Sequence, residues 1–367
     1  MLNDAEADDS SLVGVYAAGF NAFGQLLSDV RGDGAYRKLP ISTTDSRIVF
    51  TGWSTTVIHI ESHIFGHGNV KWDQALPDNC TKLHSAFGDH NGLSGVLDHL
   101  GRLYVVEDIN SSQHIVVARG QETEGLHPIA HIAMASNGHV SAVMQEQSPT
   151  NDICRVVQFP SLSSFLCWYR GMLEDFTPPT HYNELLGSAL ELVANTAGFV
   201  LLMQSGQVYT WGDPRHQSLA RSVADQDACP ADQPGEVIAL GGLQIAKIAA
   251  GGWMAAALCR DGALYLWGAN TPGRDGQLEV LRGLGPDEVA LVQLTDSEDQ
   301  DVIRVSIGEN HVAVITQSGA VFVAGENRDG QLGLQISDVF HPGWVQVPRF
   351  RRAREVLCGP KCTIVWA

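Results

Sequence analysis

Short apolar runs broken by glycine turns recur along this chain, and three stretches superpose on their turn glycines. Residues 190–219 read LELVANTAGFVLLMQSGQVYTWGDPRHQSL, residues 245–278 read IAKIAAGGWMAAALCRDGALYLWGANTPGRDGQL, and residues 303–334 read IRVSIGENHVAVITQSGAVFVAGENRDGQLGL. Gly206, Gly262 and Gly319 coincide, as do Gly212, Gly268 and Gly325, at intervals of 56 or 57 residues. Each copy opens with an apolar stretch, around Val193 or Ile248, that runs into a turn of small residues. A second apolar run follows at 199–203, 255–259 or 312–316. The dipeptides Ser205-Gly206, Asp261-Gly262 and Ser318-Gly319 then predict hairpin turns, because such turns need positive φ, which glycine adopts without steric cost. The third runs, 208–211, 264–267 and 321–324, are rich in β-branched and aromatic residues that suit a packed sheet.

Weaker copies precede these. Residues 47–68 keep a glycine turn, an apolar run and a Ser62-His63 turn; residues 129–144 keep one hairpin; residues 81–106 are the least regular, with Gly101 preceding a strand at 103–106. The ends are half units. VYAAGFNAFGQL at 15–26 matches the second half of a copy, and VLCGPKCTIVWA at 356–367 matches the first half. Complementary ends predict a closed ring, which leaves few sheet edges exposed. The expectation is an all-β fold: a seven-bladed β-propeller of four-stranded antiparallel blades, one blade split between the N- and C-termini. Residues 12–367 form this single domain and residues 1–11 an acidic disordered tail. Insertions between strands fall at about 71–80, 107–125, 168–188, 220–242 and 279–300. Within 168–188, Pro178-Pro179 marks a surface excursion with a helical turn at 182–186, and DSEDQD at 296–301 reads as a solvated acidic loop.

Composition narrows the function. In 367 residues, 41 Asp and Glu face 23 Lys and Arg, a net charge of −18. Such a chain repels phosphate backbones and anionic lipid, so neither direct nucleic-acid binding nor a membrane role is expected. Arg349, Arg351, Arg352 and Arg354 form the densest basic cluster and read as a solvated turn. Seven cysteines without a C-x-x-C pair point to a reducing compartment, cytoplasm or nucleus, with thiols used as small apolar residues. Cys358 and Cys362 read as buried thiols of the closing blade rather than half a zinc site.

Catalytic and cofactor motifs are missing from the sequence. There is no G-x-x-x-x-G-K-[ST] phosphate loop and no G-x-S-x-G elbow. His59, His63 and His67 cluster, but a metal site needs a third ligand and an outer shell of partners that the spacing does not supply. The GRDGQL and NRDGQL runs at 273–278 and 327–332 read as turns in which Gln277 and Gln331 bond backbone groups. No catalytic residue, metal or cofactor is therefore expected. Gly52-Trp53 and Gly251-Gly252-Trp253 follow the first strand of their units, and Asn310 and Lys361 occupy the corresponding turns of two others. By the repeat geometry these turns crowd one rim, making Trp53, Trp253, Asn310 and Lys361 the candidate partner-binding residues. Flat aromatic rings bury much area at low entropy cost. Packing of each tryptophan between blades is the competing reading. Trp211 and Trp267, which end third strands, read as core.

This pattern resembles the regulator-of-chromosome-condensation repeat family. The resemblance is carried by VYTWG at 208–212, LYLWG at 264–268 and Gly-Gln-Leu at 24–26, 276–278 and 330–332. It covers essentially the whole chain, strongest over 190–334 and at both ends. It implies a seven-bladed propeller with one blade split between the termini. Family repeats often place a histidine three residues after the turn glycine. Here His311 follows Gly308 and His139 follows Ser136, while the equivalent positions elsewhere are Thr55, Gly198, Met254 and Cys362. Three branches of the family are pertinent, two of them through further segments. AAGFNAFGQL at 17–26, AAGGWMAAALCRDGALYLWG at 249–268 and CGPKCTIVWA at 358–367 resemble a branch that partners a nuclear Jumonji-C oxygenase without being an enzyme. TGWSTTVI at 51–58 and CTIVWA at 362–367 resemble a branch that binds a small zinc protein of diphthamide synthesis and wobble-uridine tRNA modification. A third branch exchanges guanine nucleotide on a small GTPase. Its basic histone-contacting tail has no counterpart here, where Asp4, Glu6, Asp8 and Asp9 stand. The resemblance thus implies a monomeric, non-enzymatic scaffold for a protein partner: a Jumonji-C oxygenase, a small zinc protein or a small GTPase.

Overall fold

A computed structural model describes residues 13–27, 35–42, 46–70, 72–77, 80, 82–109, 112–118, 128–145, 153–172, 178–273, 276–294, 299–334 and 338–367. Within them the chain forms seven four-stranded antiparallel sheets, each a blade of a propeller. Blade I comprises Ser46–Thr51, Thr55–Ile60, His63–Gly68 and Trp72–Ala75. Blade II comprises Leu83–Asp89, Gly92–Asp98, Leu103–Ile109 and Ser112–Ala118. Blade III comprises Ile129–Met134, Val140–Gln145, Ile153–Phe159 and His181–Leu186. Blades IV to VI follow, starting at Ala189, Ile245 and Val302 and ending at Glu236, Leu291 and Gln346. Blade VII joins the ends: Glu355–Gly359 and Cys362–Trp366 pair with Val15–Gly19 and Arg37–Lys38. Its closure is a five-residue register from Val15 opposite Trp366 to Gly19 opposite Cys362. The first strands of successive blades touch one another in a closed circuit, I to VII and back to I.

The second strand of each blade explains why its sequence is a continuous apolar run rather than an alternating one. It lies between two neighbouring blades and is covered on both faces, so every residue of Gly198–Met203, Trp253–Cys259 and His311–Thr316 is buried. The core is accordingly divided into seven apolar clusters, one at each interface between neighbouring blades. Trp211 and Trp267 are fully buried in two of them. The seven cysteines are all free thiols, and burial pushes Cys358 and Cys362 each up to about 12.

Several expectations need correction. The turn after the second strand of blade I is Glu61-Ser62, not Ser62-His63; Glu61 takes the left-handed conformation (φ 53°) and His63 already begins the next strand. The stretch 107–125 is not a plain insertion, because Ser112–Ala118 is a full outer strand. No helical turn forms at 182–186: His181–Leu186 is the outer strand of blade III, with Tyr182, Glu184 and Leu186 facing solvent. The helix stands earlier, at Leu162–Arg170. Ser161 caps it by accepting from the Ser164 N–H (3.1 Å), and Gly171 ends it in the left-handed conformation. The tail 1–11 lies outside the described residues, as do residues 296–298 of the acidic loop at 296–301. Among the described residues no helix is long and apolar enough to cross a membrane.

Candidate partner-binding face

Antiparallel order within every blade puts the first turn, between strands one and two, on the same face as the loop between strands three and four. On this face the first turns of all seven blades surround the ring axis and line a funnel of about 450 Å³. Hydrogen bonds stitch turn to turn. Trp53 N–H donates to His90 O (2.9 Å), Asn137 N–H to Thr196 O (2.9 Å), Thr196 N–H to Gly252 O (2.7 Å) and Glu309 N–H to Pro360 O (3.1 Å). Gln25 of the first Gly-Gln-Leu triplet locks blade VII to blade I, its Nε2 donating to both Phe20 O and Trp53 O at 2.9 Å. The other triplets also hold backbone: Gln331 Oε1 accepts from Asp329 N–H (2.9 Å), and Gln277 Nε2 donates to Leu281 O (3.3 Å). An upstream asparagine closes each of these loops, Asn21, Asn270 and Asn327 accepting from the N–H of Leu26, Leu278 and Leu332.

The four sequence candidates share this face but differ in exposure. Trp53 is 39% exposed. Trp253 is only 8% exposed; it lines the funnel and packs against His216 (centroids 4.7 Å apart) beneath the Arg215 guanidinium (5.6 Å). Asn310 is buried, its carboxamide accepting from Thr271 N–H (2.7 Å) and donating to Glu326 (3.2 Å), so it clamps blade V to blade VI. Lys361 bridges. Its ammonium sits 5.5 Å from the Trp53 ring, 5.6 Å from the Phe20 ring and 3.4 Å from Asp329. The structure therefore brings Trp53 and Lys361 together, and places Trp253 and Asn310 in other blades.

Three further residues complete the cluster around Trp53. His90 lies 4.9 Å from its ring, Phe20 packs edge-on against Phe23 at 6.0 Å, and Phe23 is half exposed. Phe20 and Phe23 lie within the repeat match at 15–26, and Phe23 carries a sequence signal of its own, because the other two copies have no aromatic residue between their asparagine and the Gly-Gln-Leu triplet. The patch is open to solvent because the neighbouring blades I and II have the shortest loops on this face. Strands three and four are separated there by three and two residues, against 13 or more in blades III to VII.

His311, the histidine that keeps the repeat spacing, does not reach the surface. It is fully buried, with Nε2 3.0 Å from Thr363 Oγ1 of blade VII, and burial lowers it to about 4. His59 and His63 stand in adjacent strands, His59 buried and His63 exposed. Among the described residues no three His, Cys, Asp or Glu side chains gather as a metal-binding group.

The family model described as the regulator of chromosome condensation (RCC1) repeat matches residues 302–331 and 318–366. The chain is 32% identical over 218 residues to mouse RCC1 domain-containing protein 1, covering 50% of this chain and 56% of the relative; the human counterpart is 29% identical over 220 residues. The chain thus spans about half the length of these curated relatives. Among solved structures, Prp20p from Saccharomyces cerevisiae superposes with a TM-score of 0.67 at 14% identity, covering 96% of this chain and 91% of that one. Human WBSCR16 superposes at 0.62 and 15% identity, covering 96% and 99%. At such identity these two likenesses concern the fold.

Proposed function

From a chain that carries RCC1 repeats, is homologous to RCC1 domain-containing protein 1 and folds as a seven-bladed propeller, we propose a non-enzymatic scaffold that docks a partner protein on the face bearing the first turns. The observation that carries this reading is the open aromatic patch of Trp53, Phe23 and Phe20 with Lys361 at its edge. Its backbone is fixed from both sides by Gln25 and by the Trp53-to-His90 bond, so the rings are presented in one arrangement and little order is lost on docking. Exposed tryptophan and phenylalanine on a rigid rim suit the centre of an interface, where a few aromatic anchors supply most of the binding energy. The strands are consumed in the seven inter-blade cores, which leaves recognition to the loops.

The test is capture of a stoichiometric partner from native extract by the wild-type chain and two variants. The expected result is that Trp53→Ala with Phe23→Ser loses the partner, while Arg351→Glu with Arg354→Glu, on the opposite face, retains it. Equal capture by both variants, or no stoichiometric partner at all, overturns the reading. Accelerated nucleotide release from a captured small GTPase would replace it with an exchange factor.

A further inference from the structure

The funnel has a neighbour on the same face. A cleft of about 440 Å³ opens between blades III and IV, and Asn137, which is exposed, lines both cavities. Each volume falls within the roughly 300–1,000 Å³ usual for ligand sites. Their charges have one sign. Asp89 and Glu309 line the funnel and Asp213 and Asp232 line the cleft, while neither lining includes a lysine or arginine among the described residues.

The state of each carboxylate matters. Asp89 caps its own turn, accepting from Asn91 N–H at 2.8 Å. Asp213 is held by Arg215, whose Nε lies 2.8 Å from Oδ2, and that hydrogen bond keeps the carboxyl below its usual range. Asp232 is largely exposed, with His181 Nε2 at 3.3 Å. Glu309 is different: its Oε2 is sealed from solvent with no hydrogen-bond partner among the described residues. Glu309 lines the funnel, so a turn of its side chain toward the lumen brings that oxygen to an incoming donor, from which it gains a hydrogen bond. Aromatic walls add a second attraction for cations, Trp53 and Trp253 both lining the funnel. The face demonstrates this pairing with its own side chains, Lys361 over Trp53 and Arg215 over Trp253.

We propose that funnel and cleft form one track for an extended, arginine- or lysine-bearing segment of a protein partner, with cationic side chains seated against Trp53 and Glu309 in the funnel and against Asp232 in the cleft. The inference rests on the docking reading above and names the chemistry of what docks. A single metal ion does not fit, because the two funnel carboxylates stand on different blades and no three ligands gather among the described residues. Nucleic acid does not fit, because the linings and the net charge of −18 repel phosphate. An extended chain fits, since it advances about 3.3 Å per residue and places successive side chains on alternate sides, as two cavities sharing a wall require.

The experiment uses the whole chain and two fluorescein-labelled peptides of equal length, one tri-arginine and one tri-citrulline, read by anisotropy. Citrulline keeps the shape of arginine and removes its charge. The expected result is binding of the arginine peptide and much weaker binding of the citrulline peptide. Glu309→Gln and Asp232→Asn each weaken the arginine peptide about threefold and together about tenfold, whereas Asp301→Asn on the opposite face changes nothing. Equal binding of the two peptides, no binding, or equal loss in Asp301→Asn overturns the proposal. Native-partner capture with the same double variant separates the two readings. A partner retained by Glu309→Gln with Asp232→Asn but lost by Trp53→Ala with Phe23→Ser leaves the docking face standing and removes the cationic track.

Discussion

Blades II and III close differently from the other five, and the difference comes down to one residue position. In blades I, IV, V, VI and VII the third strand carries a glycine at its last or next-to-last position, opposite the first or second residue of the second strand: Gly68, Gly212, Gly268, Gly325 and Gly19. All five have positive φ, between 95° and 124°. A Cβ there would lie 2.0–2.4 Å from a backbone carbonyl oxygen of the blade's own first turn. The chain crosses that turn at a distance only glycine permits, then leaves for the outer strand. Blade III has Phe159 at this position, opposite Val140. Its ring packs 5.5 Å from Phe165 and 5.2 Å from Trp168, so the side chain that cannot cross the turn anchors the helix at 162–170 instead. Blade II has no crossing. Its third strand pairs with the second only over Leu103–Val105 and then runs on to Ile109 in a hairpin with Ser112–Ala118. Five blades thus share one backbone solution, and two replace it with side-chain packing or a longer ladder.

The largest effects should come from exchanging the two solutions. Phe159→Ala is expected to cost about 4 kcal/mol, since it empties a ring 1% exposed that joins blade to helix. Phe159→Gly restores the residue of the other five blades, yet should cost more still, because the backbone there has no positive φ to use glycine's freedom. Gly325→Ala in blade VI should cost about 3 kcal/mol, combining positive φ with a methyl 2.2 Å from Asn310 O. Urea midpoints of the three variants decide the matter. A Phe159→Gly protein as stable as wild type would show that the glycine crossing, not the aromatic cluster, is what blade III needs.

This contrast also explains what was legible in the sequence. The copies at 190–219, 245–278 and 303–334 stand out because their glycines are fixed by backbone clash, which no other residue can satisfy. Closure by the termini was legible for the same reason, through Gly19 beside Gly24-Gln25-Leu26. Blades II and III faded because side-chain packing tolerates many residues and leaves no fixed letter. The helix has a local signal, Ser161 before Leu162, Phe165, Leu166 and Tyr169 with Gly171 after, but Pro178-Pro179 is a stronger break in the pattern and marks the later segment instead. The binding face was half legible. Turn position put all four candidates on one face, but exposure of Trp53 and burial of Asn310 depend on loop lengths in neighbouring blades and on Glu326 and Thr271 reaching across.

A second, smaller contrast lies in two buried histidines, His131 of blade III and His311 of blade VI. Both are lowered to about 4, His311 by burial and His131 by burial and then by His84, whose Nε2 is 3.4 Å from its Nδ1. His84 is itself lowered by burial and then by Arg47. A folded-state value below the unfolded one means that the unfolded chain binds more protons between the two. Stability is therefore complete above about 6.5 and falls as pH drops toward 4. At pH 5 the loss is about 2 kcal/mol for His311 and somewhat less for the less buried His131. Melting temperature against pH should flatten below pH 6.5 in His311→Gln. It should flatten more weakly in His84→Asn, which removes His84's own shift and the second cause acting on His131 but leaves the first, burial, in place. Curves parallel to wild type in His311→Gln would show that its ring is not held neutral.

The mildest effect concerns the outer edge, where blade I meets blade II. The Gln74 carboxamide acts there as one extra unit of sheet: its Nε2 donates to Ile115 O (3.2 Å) and its Oε1 accepts from Ile115 N–H (2.9 Å). A side chain thereby pairs with both backbone groups of an outer strand in the neighbouring blade, directly beside the irregular ladder of blade II. Gln74→Ala should cost about 1 kcal/mol, because water can reach this edge and replace much of what is lost. Gln74→Glu is the sharper probe. It keeps the acceptor for Ile115 N–H but sets a carboxylate oxygen against Ile115 O, so at neutral pH it should be at least as damaging as alanine. Protonation would restore a donor, so the Glu variant should recover relative to alanine as pH falls through the carboxyl range, and exchange of the Ile115 amide should slow with it. An Ile115 amide that exchanges at the wild-type rate in both variants would mean that blade II holds its outer strand without help from blade I. The seam would then depend only on the apolar cluster beneath it, where Ile115 packs with Leu76 and Tyr104.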